Sequence, residues 1–406
     1  VATFKTISSA DIKSTRSYLN QLVDFVENDI SGSSTRRKYK VFVTGGIGPG
    51  VTSSLFQTIY DQDYQLQTSN ALFDITFGLY SGSNSVSTTA TGQDSAGKLL
   101  FPSSSLMMRE KVNIYRQFAQ TLLGNAEHSF VAPFKSGIDG ASFGTTSNAI
   151  GEALFLTHKR LFVRDGVKRE TFAMRFFQSS SFGDLYSHKG LEYYNLLVSP
   201  ANPASGSFIY TDVGSATSIE RSPTGGDVGN VVDASNTSRT VGLMFYQEGV
   251  TVLDMAKILS GGQHMSGAIS AINTSGIEHV SASFIPGFIT SASMDNVLDH
   301  ITQTRFGSGS NTVMTYQNNT QINSTLVFCR ATADEFNYST NPTYTDTNGR
   351  IIVIDETQQN IQKSFSFVST VGLFDANDEL LAVAKLSRPV EKNDEKDLTF
   401  RVRLDF

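Results

Sequence analysis

The sequence predicts a mainly β chain, α+β in detail, built of β-sandwich or barrel-type domains with two amphipathic helices in its N-terminal half. Three observations carry this. The chain closes Leu398-Thr-Phe400-Arg-Val402-Arg-Leu404-Asp-Phe406, apolar at every even position and polar at every odd one, which is the period of a half-buried strand. From Glu152 onward, short apolar or aromatic runs alternate with turn residues at the spacing of a sandwich or barrel. Helical periodicity is confined to two stretches nearer the N-terminus.

Taken in order, Ser9 is placed to cap a helix reaching Ile30, since Ile12, Leu19, Leu22, Val23, Val26 and Ile30 recur at helical spacing. The basic run Arg36-Arg-Lys-Tyr-Lys40 reads as a solvated approach to a strand at 41–43, because four charges do not make a nucleic-acid site. A second helix is expected over 106–123, with Met108, Val112, Tyr115, Ala119 and Leu122 on one face and Gly124 as its stop. The Gly/Ser/Thr-rich stretch between Tyr80 and Ser105 is then a surface loop. Strands are expected at 153–155, 171–177, 191–198 and 208–210, and a strand pair or strand–helix pair around Gly249. Residues 260–276 are so rich in Gly, Ser and Ala that they read as a linker or arm. Strands follow at 277–288 and 324–330, and Asn348-Gly349 signals a hairpin leading into 351–354. Phe365, Phe367, Val371 and Leu373 precede the turn Asp375-Ala-Asn-Asp378, and an extended run returns over 379–387. That returning run is apolar on both faces, so it is expected to be a central strand ending at Pro389, with the chain's last side chain buried.

A chain of 406 residues exceeds what one core accommodates. The composition shifts divide it into an N-terminal mixed α/β docking region (1–150), a β-rich middle domain (151–260), a Gly/Ser linker (261–276) and a C-terminal β domain (277–406). Net charge is −6 with 17% charged residues, which leaves no basic field for nucleic acid and suits burial against protein neighbours. Cys329, the sole cysteine, sits in an apolar run and reads as a core thiol; an intrachain disulfide is impossible. Without an apolar run near eighteen residues or a charged-then-apolar leader, neither a membrane span nor a signal peptide is expected, and synthesis in a cytoplasm is.

Motifs that imitate chemistry fail on their details. Thr44-Gly45-Gly46-Ile47-Gly48-Pro49-Gly50-Val51-Thr52 keeps the glycine frame of a phosphate loop but puts valine where the neutralising lysine belongs, and Pro49 removes a backbone donor. Gly140-Ala-Ser142-Phe-Gly144 matches a nucleophile elbow without the alternating α/β chain that motif needs. His128, His158, His188, His264, His279 and His300 are scattered, and the carboxylates form no calcium loop. No catalytic residue, metal or cofactor is therefore expected, and the protein is not expected to be an enzyme.

The run Glu335-Phe336-Asn337-Tyr338-Ser-Thr-Asn341-Pro342-Thr343, with Thr370-Val-Gly-Leu-Phe-Asp375, Glu379-Leu-Leu-Ala-Val-Ala-Lys-Leu-Ser387 and Arg401-Val-Arg-Leu-Asp-Phe406, resembles a family of virion structural proteins. These belong to large contractile-tailed bacteriophages, notably those of marine bacteria. Weaker echoes lie at 56–61, 72–75, 161–172 and 241–246 with Gly249, so the resemblance spans most of the chain and is specific in its last third. It implies a capsid, neck, tail or baseplate component, made in the host cytoplasm and located in the virion. It also implies other virion proteins and further copies of itself as partners, with no nucleic-acid or membrane partner. Within the virion the docking helix and long polar arms suit a tail baseplate or neck component bridging neighbours. The alternative is a receptor- or glycan-binding tail appendage, for which aromatic and amide-rich loops would form the binding face. Read physically, Asn337, Asn341 and Pro342 are turn formers that hold the Tyr338 ring at a bend, with Glu335 placed to cap backbone amides. Such a turn serves either its own domain or the grip on another subunit.

Overall fold

Residues Asn20–Thr320 form one unit, inserted in sequence between the two stretches, Val1–Leu19 and Gln321–Phe406, that together make the other. The structure, a computed structural model, describes residues 4–43, 51–83, 92–93, 95–97, 99–100, 103–134, 148–177, 207–218, 220–258, 263–264, 281–282, 294–306, 311–339, 341–349 and 364–406. In chain order the first strands are β1 (Ile12–Leu19), β2 (Leu22–Val26), β3 (Arg36–Val43), β4 (Val51–Tyr60), β5 (Ala71–Leu79), β6 (Gly92–Gln93), β7 (Leu99–Leu100) and β8 (Glu152–His158). There follow β9 (Ala173–Phe177), β10 (Ser207–Thr211), β11 (Glu220–Ser222), β12 (Gly226–Asp233), β13 (Asn236–Phe245), β14 (Val250–Asp254), β15 (Gln263–His264) and β16 (Ser281–Ala282). The last are β17 (Thr312–Gln317), β18 (Thr320–Ala331), β19 (Phe365–Phe374), β20 (Leu380–Asn393) and β21 (Leu398–Asp405). Helices are α1 (Glu27–Ser31), α2 (Ser103–Leu123), α3 (Arg160–Val163), α4 (Met255–Ile258) and α5 (Met294–His300), which runs into a π-helical stretch, Ile301–Arg305.

The inserted unit is built on a 12-stranded sheet in the order β2-β17-β9-β10-β12-β13-β14-β8-β5-β4-β3, with β11 beside β12. Its neighbours pair antiparallel. The sheet curls back on itself: Phe25 on β2 and Tyr316 on β17 lie against Phe73 on β5 and His158 on β8, with ring centroids 4.9 to 6.0 Å apart. Strands far apart in the sheet order thus share one core, which is the barrel-like arrangement expected from the short, regularly spaced runs. Helix α2 buries Met108, Tyr115, Ala119 and Leu122, as its periodicity predicts. The Tyr115 hydroxyl, 2.8 Å from the Ile150 carbonyl and 2.9 Å from the Phe130 amide, fixes the helix to the chain beyond it. Gly249, at φ +63, turns β13 into β14 where a side chain would meet Val163 at 2.8 Å.

Three expectations need correction. The helix expected over 9–30 is instead a single 3-10 turn at Ser9–Asp11, then β1, β2 and the short α1. Its apolar residues fit a strand as well as a helix, and two tertiary pairings, β1 with β18 and β2 with β17, satisfy this backbone. The consecutive regions 1–150, 151–260 and 277–406 do not match the two units, because β8 pairs with β5 across position 150 and the first nineteen residues belong with the C-terminal stretch. Composition does not report which strands pair. The third correction concerns β20. Its burial pattern is largely exposed, it forms a two-stranded ribbon with β19 alone among the described residues, and it continues through Pro389 to Asn393. Pro389 sits where the register shifts between Val368/Thr370, a bulge that needs no ladder donor there.

In the terminal unit β18 lies between β1 and β21, and β18 pairs with β21 from Ser324↔Asp405 to Ala331↔Leu398. The alternation read from the last nine residues holds: Val402 is buried while Thr399, Arg401, Arg403 and Asp405 are exposed. Phe406 breaks it with 75% exposure, although its backbone still bonds to Asn323 in both directions. Among the described residues the core of this unit is small. Val327, Leu373 and Val402 form it, with Cys329, Val371, Ala382 and Leu404 packed partly buried around them. Burial pushes the Cys329 thiol up, in keeping with a packing role.

The expected strands at 191–198 and 351–354, the glycines at 45–50 and Gly140-Ala-Ser142-Phe-Gly144 lie outside the described residues, as do most of 261–276 and 277–288.

Candidate functional site

The motif residues Glu335, Phe336, Asn337, Tyr338, Asn341 and Pro342 lie in the loop that leaves β18, and the structure ties this loop to β20 and β19. Lys392 on β20 is fully buried, and its ammonium reaches the Asn337 Oδ1 at 2.6 Å, the Asn393 carbonyl at 2.7 Å and the Ala333 carbonyl at 3.2 Å. Three oxygens thus take the place of the water lost on burial. Asn337 also donates through its Nδ2 to the Ala333 carbonyl at 2.6 Å, so one side chain closes the turn from both ends. Phe336 sits at φ +58, and its carbonyl accepts from the Ser366 Oγ at 2.5 Å on β19.

Glu335 does cap an amide, that of Thr332 at 3.1 Å, and pairs with Lys5 at 2.5 Å. The Lys5 hydrogen bond first, then the Thr332 amide, holds its carboxyl down at about 2. The Asn341 Oδ1 accepts from the amide and hydroxyl of Thr343, an Asx turn that carries the chain past Pro342. Tyr338 and Phe336 are exposed. Tyr338, Tyr344, Phe365 and Phe367 then form a row of edge-to-face rings with centroids 5.6, 6.3 and 5.8 Å apart. The loop therefore presents ring surface, amides and hydroxyls on a rigid base. Rings in this arrangement can pack edge to face on further aromatic groups.

Lys392, Ser366 and Lys5 are the residues that sequence reasoning missed here. Nothing in their local sequence marks them, since each meets the loop only through strand pairing or a long return of the chain. The other segments that carry the virion resemblance, 370–375, 379–387 and 401–406, also lie in the terminal unit, on β19, the hairpin turn, β20 and β21.

Among the described residues, the ionisable groups that burial shifts furthest lie in the inserted unit, and each sits within its framework. His158 is buried among Phe25, Phe73, Phe172 and Tyr316 with neither ring nitrogen hydrogen-bonded, and desolvation pushes it down to about 3. Desolvation likewise lowers Lys111, over the Phe77 ring, to about 7 and raises Asp254 to about 6. Asp299 joins Arg36 and Lys38 at 3.3 and 2.6 Å and Gln57 at 2.9 Å, fastening α5 to β3 and β4. Among the described residues no group of three or more His, Cys, Asp or Glu side chains is arranged to hold a metal, and no helix is long and apolar enough to cross a membrane. Compared with known proteins, the chain matches no protein-family model, no curated protein and no solved structure.

Proposed function

We propose that this chain is a structural component of a bacteriophage particle, part of the tail baseplate or adjoining neck, which joins neighbouring subunits and carries out no reaction. The observation that supports the reading is the surface of the terminal unit: it exposes Phe4, Tyr18, Phe367, Leu381, Val383 and Phe406, while its core among the described residues is a cluster of three, Val327, Leu373 and Val402. Free monomers rarely leave that much apolar surface bare, whereas a subunit with permanent neighbours does. The sequence resemblance lies most strongly in this same unit. The test is to purify phage particles that encode the chain, wash them in high salt and label them with an antibody to it. Retention in the particle and label at the tail end or the neck are expected. Loss in the wash, or label over the capsid shell, overturns the reading.

The row of rings from Tyr338 to Phe367 beside Asn341 favours a second reading, a receptor- or glycan-binding tail appendage. Retention of the isolated protein on a host-glycan array, abolished by Tyr338→Ala, would move the assignment there.

A further inference from the structure

The outer face of the β19–β20 hairpin is apolar in its middle and oppositely charged at its two ends. Gly372 and Val383 pair across the hairpin and face outward. Because Gly372 has no side chain, Phe374 and Leu380 fold over it: a Cβ there would meet them at 2.9 and 3.3 Å. Phe4 closes the patch with its ring 5.0 Å from that of Phe374, edge to face. Leu381 projects beside them at a second irregularity of the ribbon, between Leu373/Phe374. These five large side chains expose between 43% and 68% of their surfaces. At about 200 Å² for a large side chain that is on the order of 500 Å² on one copy. Two such faces would bury about 1,000 Å², the lower bound for a specific interface.

The charges decide what covers it. Beyond the patch on the turn side lies Glu379, and on the opposite side Lys385, both exposed and neither in an ion pair among the described residues. They stand three residues to either side of Ala382, about 10 Å in each direction along an extended strand. A surface with acid at one end, apolar in the middle and base at the other is complementary to itself after a half-turn.

We propose that the terminal unit binds a second copy of this chain face to face, through this hairpin, about a two-fold axis near Ala382. Each Glu379 then meets the Lys385 of the other copy. The inference stands on this face alone and holds whether or not the chain belongs to a virion.

Sedimentation velocity on the full-length chain tests it without any particle. A discrete dimer is expected to form with a dissociation constant on the order of 10 μM or tighter. Leu381→Asp together with Val383→Asp should leave a monomer with unchanged far-ultraviolet circular dichroism, since both positions are exposed and folding does not need them. Glu379→Lys or Lys385→Glu alone should weaken the dimer about tenfold, because the symmetry repeats each repulsion, and the two combined should restore it. A wild-type chain still monomeric at about 50 μM overturns the proposal. So does a dimer indifferent to the aspartates, or a charge reversal that is not rescued by the double exchange.

Discussion

Phenylalanine has opposite fates in the two units. In the inserted unit Phe25, Phe73, Phe77, Phe130, Phe155 and Phe172 are at most 1% exposed, and Phe118 stacks on Phe155 at 4.0 Å. In the terminal unit Phe4, Phe336, Phe367, Phe374 and Phe406 are exposed, while Phe328, Phe365 and Phe400 are only partly covered. Geometry accounts for the difference. A long sheet that curls back on itself has an interior where rings lose all contact with water. A three-stranded sheet with a ribbon against it encloses only the side chains between them, and each layer keeps a bare outer face. The same residue type therefore fills the core of the first unit and stays largely at the surface of the second.

Removing β21 should have the largest effect. Deleting Leu398–Phe406 takes away Val402, one of the three core residues among those described, together with the eight-residue pairing to β18. The terminal unit should unfold outright while the inserted unit keeps its own calorimetric transition. Simultaneous loss of both transitions would mean that the units are not energetically separate.

Next in size is a pair of core truncations. Phe155→Ala should cost the inserted unit about 4 kcal/mol, from lost transfer and an unfilled cavity among tightly packed rings. Val402→Ala should cost the terminal unit only about 1–2 kcal/mol, since a thin core near solvent relaxes more easily. Urea titration monitored in each unit checks both, and equal losses would erase the contrast.

His158 makes the stability of the inserted unit depend on pH. Folded, it takes a proton only near pH 3; unfolded, it does so near 6.5. Below 6.5 the unfolded chain binds more protons, so the stability present above that pH is lost as pH falls toward 3. The slope is at most about 1.4 kcal/mol per pH unit, or about 2 kcal/mol by pH 5. Asp254, raised to about 6, works in the opposite sense as pH falls below that value, so the measure is the difference between wild type and His158→Phe. The variant should match wild type at pH 7 and gain on it steadily below pH 6. Parallel pH profiles would show that the ring is not buried neutral.

The smallest effect belongs to the motif loop. Lys392→Met leaves the Ala333 and Asn393 carbonyls and the Asn337 Oδ1 without their shared donor, and should cost the terminal unit about 1–2 kcal/mol. Faster proteolytic cleavage within 332–349 is the readout. An unchanged rate would mean that Asn337 and Ser366 hold the loop alone.

Whatever depends on neighbours in sequence was legible from the amino acids alone. The period-two pattern of 398–406 made β21, the helical face of Met108, Tyr115, Ala119 and Leu122 made α2, and Asp375 made its turn by accepting from the Asn377 and Glu379 amides at 2.8 Å. Glu335 and Asn341 cap their turns through side chains that reach only a few residues along the chain. Only the tertiary structure decided the rest. Residues 12–26 carry apolar positions compatible with either period, and they became strands because β18 and β17, some three hundred residues away, offered partners for their backbone. The returning run 379–387 reads as a central strand apolar on both faces, whereas in the structure Ala382 and Ala384 pack beside Leu373 in the small core while Leu380, Leu381 and Val383 are exposed. Periodicity states which side chains share a face, and burial requires a second surface that the local sequence does not specify.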